Sequence, residues 1–273
     1  MRSALKKIIL IAFISLAISA GAGTFFQKQL RPFCFSGEFP SEAAVAKVID
    51  GDTIVLDGGE KVRYLGINAP EIRVRQGNQW ITRAQICGKE AKDYNQKLVE
   101  GKRVRLEYDQ TKRDDYSRIL AYVWDDGVLV NGELLKKGLA LVDVRYPNLK
   151  HQKMFFDFQK EARDFHRGIW EKIDDHTFSE QEAFKLIGEI GVVQGTIVSV
   201  NIGREKVYLH FGKNWENDFT GIIYKNNLEN FPWRSKDLAR SFLGRKVKIY
   251  GFVKNSEGPA IIISAPSQVD ILN

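Results

Sequence analysis

The sequence predicts a mainly β protein with helices: an OB-type five-stranded Greek-key barrel, followed by a second, smaller OB-like β-barrel domain. Short segments that alternate apolar and polar residues are separated by turns rich in Asp and Gly, as in antiparallel sheets. Their order is three strands, a helix and two strands, which is typical of a Greek-key OB barrel. Nearly the same order occurs twice, although the two halves share no evident sequence repeat.

The first series of elements extends from Val45 to Trp170. Helical spacing of apolar residues predicts helices over 88–100, 128–137 and 151–168, and the first two end before a glycine. Alternation predicts strands over 44–49, 53–56, 61–65, 104–108 and 119–124.

The composition changes after this series. Residues 171–190 begin with a charged, turn-rich stretch and are predicted to be a linker, with a connecting helix over 180–186. The predicted domains are therefore 45–170 and 191–273. In the second domain, strands are expected over 192–200, 207–211, 219–224, 246–253 and 260–263, with a short helix over 236–243.

The N-terminus predicts a targeting segment. Three cationic residues precede an uncharged run over 8–26, and Ala20-Gly21-Ala22 fits the small-residue rule for cleavage. We therefore expect a signal peptide over 1–22 and an N-terminal arm over 23–44. The alternative is an uncleaved membrane anchor, because the run is at the lower edge of a spanning length. Both interpretations predict export, to the periplasm or the medium or as an anchored protein facing outward.

Composition excludes several classes of protein. The 273 residues carry a net charge of +7, with 27% charged and 44% hydrophobic residues, which fits neither a disordered tail nor a multi-span membrane protein. The positive charge favours a polyanionic partner such as nucleic acid. There is no Cys-x-x-Cys and no His-Glu-x-x-His, so any metal is expected to be a hard cation bound by oxygen ligands.

The two cysteines are Cys34 and Cys87. Because an even pair usually forms a disulfide in an oxidising compartment, export predicts a bridge between them. Such a bridge would contribute about 4 kcal/mol in the chain-entropy model. The alternative is two unrelated buried thiols.

Carboxylates and arginines are placed where the predicted strands of the first domain begin or end. Asp50 and Asp52 lie in a turn, Arg63 lies on the third strand, Glu71 follows that strand, and Arg118 begins a later one. Strand ends can converge in a closed barrel. Phosphodiester hydrolysis needs oxygen ligands for a cation, a carboxylate to activate water and guanidinium groups to hold phosphate. Each residue also has an ordinary interpretation, as a turn residue, a solvated charge or an ion-pair partner.

Four motifs occur in order over this domain. They are Val48–Thr53, Val62–Glu71, Asp115–Tyr122 and Asn131–Ala140. Together they resemble the staphylococcal nuclease (thermonuclease) family over 45–170. The resemblance implies an OB barrel with helices and, for active members, a nuclease of DNA and RNA that depends on Ca²⁺. The expected substrate is single-stranded or loosely structured, and no obligate oligomer is predicted.

The resemblance also implies a metal site. Asp52 matches a carboxylate ligand, Asn68 occupies the place of a second one, and Ala69 stands where the family uses a backbone carbonyl. Asp50 flanks these ligands. The amide at Asn68 departs from the family pattern, and because it removes one negative charge we expect it to weaken calcium binding.

Three residues match the catalytic groups of the family. Glu71 resembles the proposed general base, and Arg63 and Arg118 resemble the two phosphate-binding arginines. Tyr116 lies in the phosphate-binding segment. Ser117 replaces the usual glycine, which is a smaller departure.

A basic stretch follows the third strand. Arg73, Arg75 and Arg83 surround a predicted loop over 76–80 that contains Trp80. These arginines and the tryptophan could be solvated surface residues. Alternatively, they bind the substrate strand through phosphate contacts and base stacking.

Two function classes remain open at this point. The favoured one is an exported metal-dependent nuclease, and the alternative is a catalytically weak or inactive nuclease-like protein that binds nucleic acid or acts as a scaffold. The second barrel mixes aromatic residues with lysines, which is consistent with nucleic-acid binding or with a role as spacer or docking domain.

Overall fold

The computed structural model describes residues 39–76, 79–214, 217–232 and 237–272, without the side chains of residues 74–76, 80 and 230. The predicted signal peptide or anchor and most of the predicted arm lie outside these residues. No helix among the described residues has the length and apolar character needed to cross a membrane. Cys87 is a buried free thiol. Its predicted partner Cys34 lies outside the described residues, so the bridge stays a prediction.

The first half of the described chain contains ten strands and four helices. They are β1 (Glu42–Val48), β2 (Thr53–Leu56), β3 (Lys61–Tyr64), β4 (Gly66–Asn68), β5 (Arg73–Gln76), β6 (Gln79–Thr82), α1 (Gly88–Val99), β7 (Arg103–Glu107), β8 (Ile119–Asp125), β9 (Val128–Leu129), α2 (Val130–Lys136), β10 (Leu141–Asp143), α3 (Gln152–Asp164) and α4 (Ile169–Lys172).

Five of these strands close into a barrel. β2 pairs antiparallel with β1 and β3, and β7 pairs antiparallel with β1 and β8. β3 runs parallel to β8, which completes the ring. This is the predicted OB-type Greek-key order, and the fold class is confirmed. Alternation explains it, because the inward positions, such as Val48, Ile54, Val62 and Ile119, are apolar and buried.

The predicted loop over 76–80 is wrong. β5 and β6 form an antiparallel hairpin in which Val74 pairs with Ile81 and Arg75 with Trp80. β-branched and aromatic residues on both sides of the Gly77-Asn78 dipeptide favour this hairpin. The charged residues of the stretch obscured that signal.

Two predicted helices are shorter in the structure. Val128 and Leu129 form β9, which pairs with the end of β8, because they follow the Asp126-Gly127 turn. The helix α2 therefore begins only at Val130. The helix α3 ends at Asp164, and His166 and Gly168 then have positive φ angles that a continuing helix would not allow.

The second half contains eight strands, one α-helix and short 3₁₀ turns. The strands and the helix are β11 (Thr177–Ser179), β12 (Ile190–Thr196), β13 (Ser199–Ile202), β14 (Lys206–His210), β15 (Thr220–Tyr224), α5 (Leu238–Phe242), β16 (Lys246–Asn255), β17 (Pro259–Ile262) and β18 (Val269–Leu272).

These strands form a second OB-like barrel, as the sequence predicts. β12 and β13 act as one interrupted first strand, with β16 paired to β12 and β14 paired to β13. β15 pairs with β14 and runs parallel to β17, and β17 pairs with β16. The edges are extended by β11 on β12 and β18 on β16. The barrel interior is filled by buried apolar side chains, among them Val193, Leu209, Phe219, Ile249 and Ile261.

The two barrels pack against each other within one compact unit. Ile190, Val192 and Tyr250 of the second barrel belong to the hydrophobic core of the first. The predicted linker contains β11 and two 3₁₀ turns, and its side chains Ile173 and Leu186 are buried. The division into domains at 170 and 191 stays a prediction.

Candidate active site

The turn between β1 and β2 presents Asp52 to the interior of the first barrel. The backbone N–H of Asp52 donates to Asp50 Oδ1 at 3.0 Å, the Asx-type bond expected of this turn. The Asp52 carboxylate accepts from Ala69 N at 2.6 Å and from Thr53 Oγ1 at 3.0 Å. Gly51 is required here, because a Cβ atom would lie 2.6 Å from the Ala69 side chain. The turn thus fixes a buried carboxylate beside the segment that follows β4.

Arg63 lies on β3 and is held by four oxygen atoms. Its Nη1 donates to the carbonyl oxygens of Tyr64 at 2.9 Å and Ile67 at 2.8 Å, and Nη2 donates to Asn68 Oδ1 at 2.8 Å. Nη1 also lies 3.0 Å from Asp52 Oδ2 in a largely buried ion pair. One guanidinium group therefore touches both side chains that were predicted to bind the metal.

The site carries an excess of negative charge. Burial raises the pKa of Asp52 to about 7, although Arg63 lowers it, and the charge of Asp50 raises it further. Burial likewise raises the pKa of Asp50, with the charge of Glu71 adding to the effect. Arg63 and Arg118 together do not compensate the three carboxylates of Asp50, Asp52 and Glu71, so a cation would relieve their mutual repulsion.

The oxygen atoms available at this site are of the kind that a hard cation binds. The Asp52 carboxylate, the Asn68 amide oxygen and the Ala69 carbonyl are the oxygen ligands that Ca²⁺ prefers. No group of three or more His, Cys, Asp or Glu side chains suited to a metal occurs in the described part of the chain. Among the three predicted ligands only Asp52 is charged, and weakened calcium binding through Asn68 stays a prediction.

Glu71 follows β4 in an exposed position, and its backbone is anchored by Gln85. Glu71 N donates to Gln85 Oε1 at 2.7 Å, and Gln85 N donates to Glu71 O at 2.8 Å. Partial desolvation and the charge of Asp52 raise the pKa of Glu71, whereas Arg63 and Arg118 lower it. The charges of Asp52, Arg63 and Arg118 therefore act on the Glu71 carboxyl group.

Arg118 is oriented by a short turn before β8. Its Nε donates to Asp114 Oδ2 at 2.7 Å, and Asp114 Oδ1 accepts from the N–H groups of Tyr116 and Arg118. The Tyr116 side chain is 82% exposed, and the Arg118 guanidinium lies 5.5 Å from its ring. Ser117 has φ of 61°, the conformation that the more usual glycine adopts freely. The structure thus contains an ion pair between Arg118 and Asp114, which is one of the ordinary interpretations of Arg118. The guanidinium group remains partly exposed.

Both arginines line one cleft of about 390 Å³. Sequence reasoning missed two other residues there, Arg145 and Tyr146. Arg145 makes two bonds to the Asp143 carboxylate, and Tyr146 is 67% exposed. They follow the short strand β10, which brings them to the site by pairing with β4. A basic and an aromatic residue directly before Pro147 are the only sequence signal for them.

Gln85 was also missed. It is buried, and its amide group donates to Gly188 O as well as accepting from Glu71. Gln85 therefore connects the backbone of Glu71 to the segment before the second barrel. No local motif marks it, because both contacts are made by residues far away in the sequence.

The predicted substrate-binding stretch is only partly placed. Arg73 is exposed on β5, and Arg83 forms an ion pair with Glu189. The side chains of Arg75 and Trp80 lie outside what the structure describes. Substrate binding by these four residues stays a prediction.

Comparison with known proteins identifies the family of this chain. The family model described as "Staphylococcal nuclease homologue" matches residues 61–172. Thermonuclease from Staphylococcus hyicus is 40% identical over 129 residues, which cover 46% of this chain and 73% of that protein. Thermonuclease from Staphylococcus intermedius is 40% identical over 131 residues, 47% of this chain and 75% of that protein.

A third relative carries the same similarity outside that genus. Endonuclease YncB from Bacillus subtilis (strain 168) is 40% identical over 131 residues, 46% of this chain and 60% of that protein. The region that the family model matches, residues 61–172, contains the barrel strand of Arg63, the cleft and the turn of Arg118. By its barrel, its motifs and these similarities, the chain belongs to the staphylococcal nuclease family.

Proposed function

We propose that this protein is an exported, calcium-dependent nuclease that hydrolyses phosphodiester bonds of DNA, RNA or both. The observation that supports it best is the cleft shared by Arg63 and Arg118, one of which is ion-paired with the buried Asp52. Such a cleft offers two guanidinium groups to the oxygens of one phosphate. The preferred substrate is a single-stranded or loosely structured chain, because a flexible backbone can bend so that one phosphate enters a cleft of about 390 Å³.

In this mechanism Glu71 orients and deprotonates the attacking water. Desolvation and Asp52 raise the pKa of its carboxyl group, which brings its basicity closer to that of an effective general base near neutral pH. The two hydrogen bonds between its backbone and Gln85 fix where the carboxyl group can reach.

Arg63 and Arg118 stabilise the negative charge that develops on the phosphate oxygens. Arg118 keeps donors available, since only its Nε is bonded to Asp114. Arg63 is held rigidly by backbone carbonyls, so its charge costs little reorganisation during the reaction. Asp52, Asn68 and the Ala69 carbonyl would hold the cation, with Asp50 beside them. A bound Ca²⁺ would polarise the phosphate and lower the pKa of water.

The protein should cleave single-stranded DNA with calcium present and should not do so with a chelator. Asp52→Asn should lose most of this activity, because it removes the buried carboxylate while keeping its shape. Cleavage of a labelled oligonucleotide measures both effects. Calcium-independent cleavage, or equal rates for wild type and Asp52→Asn, would contradict the proposal.

Asn68→Asp should tighten calcium binding by about tenfold. It restores one negative charge at a ligand position, and the new carboxylate can still accept the bond from Arg63 Nη2. The readout is the calcium concentration that gives half-maximal cleavage, with direct titration of calcium as a second measurement. Asn214→Asp is the matched control, since Asn214 is an exposed residue of the second barrel that lies outside the cleft and whose backbone N–H donates to Asp218. An unchanged calcium requirement would exclude position 68 as a ligand.

A second candidate function follows from the same amide. With Asn68 in place of a carboxylate, the protein could bind nucleic acid while cleaving it weakly or not at all, as a scaffold. Strand binding without calcium-dependent cleavage would favour this function over the enzyme.

Export is supported by the sequence of residues 1–26. A positive flank, an apolar run and a small-residue cleavage site are typical of a signal peptide. Determination of the N-terminal residue of the mature protein distinguishes cleavage after Ala22 from an uncleaved anchor.

A further inference from the structure

The second barrel presents an outward face on β13, β14 and β15 that the proposed reaction does not use. The strand register aligns Asn201, Tyr208 and Ile222 in one row across the three strands, and His210 pairs with Thr220 in the next row. The intervening residues of β14 point into the barrel core. The alternation therefore places Tyr208 and His210 side by side on the outer surface.

The two aromatic rings are held in a defined orientation. The rings of Tyr208 and His210 are nearly parallel, with an interplanar angle of 6° and centroids 5.9 Å apart. The His210 imidazole lies 3.2 Å from Thr220 Oγ1 through Nδ1 and 3.4 Å from Asn201 Nδ2 through Nε2. Both aromatic residues are partly exposed. They thus form a preoriented stacked pair of aromatic rings with polar groups at its edge.

Two loops border this surface. The turn between β13 and β14 and the turn between β16 and β17 flank a groove of about 760 Å³. In an OB barrel the corresponding face and loops are where oligonucleotides and oligosaccharides bind. The groove is lined by polar, aromatic and a few apolar residues: Asn201, Lys206, Tyr208, His210, Ile222 and Glu257.

Basic residues lie beside the groove and beside the catalytic cleft. At one end, Lys206 Nζ lies 5.2 Å from the centre of the Tyr224 ring, and Tyr224 acts electrostatically on Arg145 of the cleft. On β16, Lys254 lines a small cavity together with Asn68 and Asp143. Cationic side chains thus line the groove (Lys206), the small cavity beside Asn68 (Lys254) and the cleft (Arg145).

The charge of these side chains favours a polyanion. Desolvation lowers the pKa of Lys254, the Asp143 carboxylate raises it, and Arg145 and Arg63 lower it further, so that three cationic groups here face one carboxylate. Flat aromatic faces and cationic side chains together are the usual means of binding a single strand without sequence preference.

We propose that this face of the second barrel binds a stretch of single-stranded nucleic acid that continues from the catalytic cleft, with bases stacked on Tyr208 and His210. The inference rests on the proposed function for the direction of the strand, but binding at the groove does not require cleavage. Long strands would occupy both barrels, and short ones only the cleft. The protein would therefore hold a long substrate between cuts.

The test measures binding by the full-length protein in a chelator, so that no strand is cut. Fluorescence anisotropy compares labelled oligothymidylates of about 4 and about 24 nucleotides, lengths chosen from the site sizes of OB folds. Tyr208→Ala and His210→Ala should each weaken binding of the long strand by about tenfold. The loss should be confined to the long strand, whereas Tyr208→Phe should retain the affinity.

Two further variants make the result specific. Phe184→Ala removes an aromatic residue that is 59% exposed and lies outside the groove, and it should leave the affinity for the long strand unchanged. Glu257→Gln removes a carboxylate from the groove lining and should tighten long-strand binding. If Tyr208→Ala does not fold, the long-strand affinities of His210→Ala and Glu257→Gln still test the proposal.

An unchanged long-strand affinity in both alanine variants would overturn the proposal. An equal loss for long and short strands would also overturn it, because the face would then act through the first barrel or through folding. Failure of the nuclease proposal is separate, since it would appear as absent cleavage by the wild type while these affinities could still follow the expected pattern.

Discussion

Glu71→Gln should reduce the cleavage rate by about 10²- to 10⁴-fold, the usual contribution of a general base. The amide keeps the shape of the side chain but cannot accept a proton from water. Both hydrogen bonds of Glu71 with Gln85 involve backbone atoms of Glu71, so the substitution preserves them. We therefore expect a loss of turnover without a loss of stability.

The measurement is the single-turnover rate on a labelled oligonucleotide at saturating calcium, together with the midpoint of thermal unfolding. Glu90→Gln is the matched control, because Glu90 is an exposed carboxylate on α1 that pairs with Lys172 and does not reach the cleft. A rate of Glu71→Gln within threefold of the control would exclude Glu71 as the base.

Arg63→Ala should lower the free energy of unfolding by about 3 to 5 kcal/mol, in addition to abolishing cleavage. The substitution leaves the buried Asp52 without its ion-pair partner and deprives the carbonyl oxygens of Tyr64 and Ile67 of a donor. An unpaired buried carboxylate is costly, because it loses its solvation as well as its counter-charge.

Arg118→Ala provides the comparison that separates stability from catalysis. Arg118 pairs with Asp114 at a partly exposed position, so its loss should change stability by only about 1 kcal/mol or less. Cleavage should nevertheless fall strongly, since both guanidinium groups line the same cleft. Urea unfolding curves measured beside the cleavage rates test this contrast. Equal destabilisation by the two substitutions would contradict the structural roles assigned to them.

The fold could be predicted where local pattern and burial agree. The strand β3 alternates between core and surface, and β2 and β8 alternate over three residues each, so sequence places these strands within a residue or two. The hairpin of β5 and β6 was mistaken for a loop, although two short strand-forming segments flank a Gly-Asn dipeptide. There the arginines favoured a binding loop over a sheet.

The candidate site was predictable only as far as its residues lie within motifs. Asp52, Arg63, Asn68 and Arg118 are close together because the barrel order brings their strand ends together. The four oxygen contacts of Arg63 could not be anticipated, since three of them come from Tyr64 at the end of β3 and from Ile67 and Asn68 on the short strand β4. Arg145 and Tyr146 reach the cleft through the pairing of β10 with β4, which has no distinctive sequence pattern.

The hydrogen bonds of Gly188 limit where the C-terminal barrel could be exchanged for the barrel of another protein. Gly188 O accepts from Gln85, and Gly188 N donates to Val253 O on β16. A continuous series of bonds thus runs from the second barrel through Gly188 and Gln85 to the backbone of Glu71. A chimera that exchanges the C-terminal barrel would have to retain residues up to Glu189 and supply an acceptor equivalent to Val253. The junction for a domain exchange is therefore best placed after Glu189, at the end of the predicted linker. The transplanted barrel would then have to hold Gly188, which binds Gln85 and through it the backbone of Glu71.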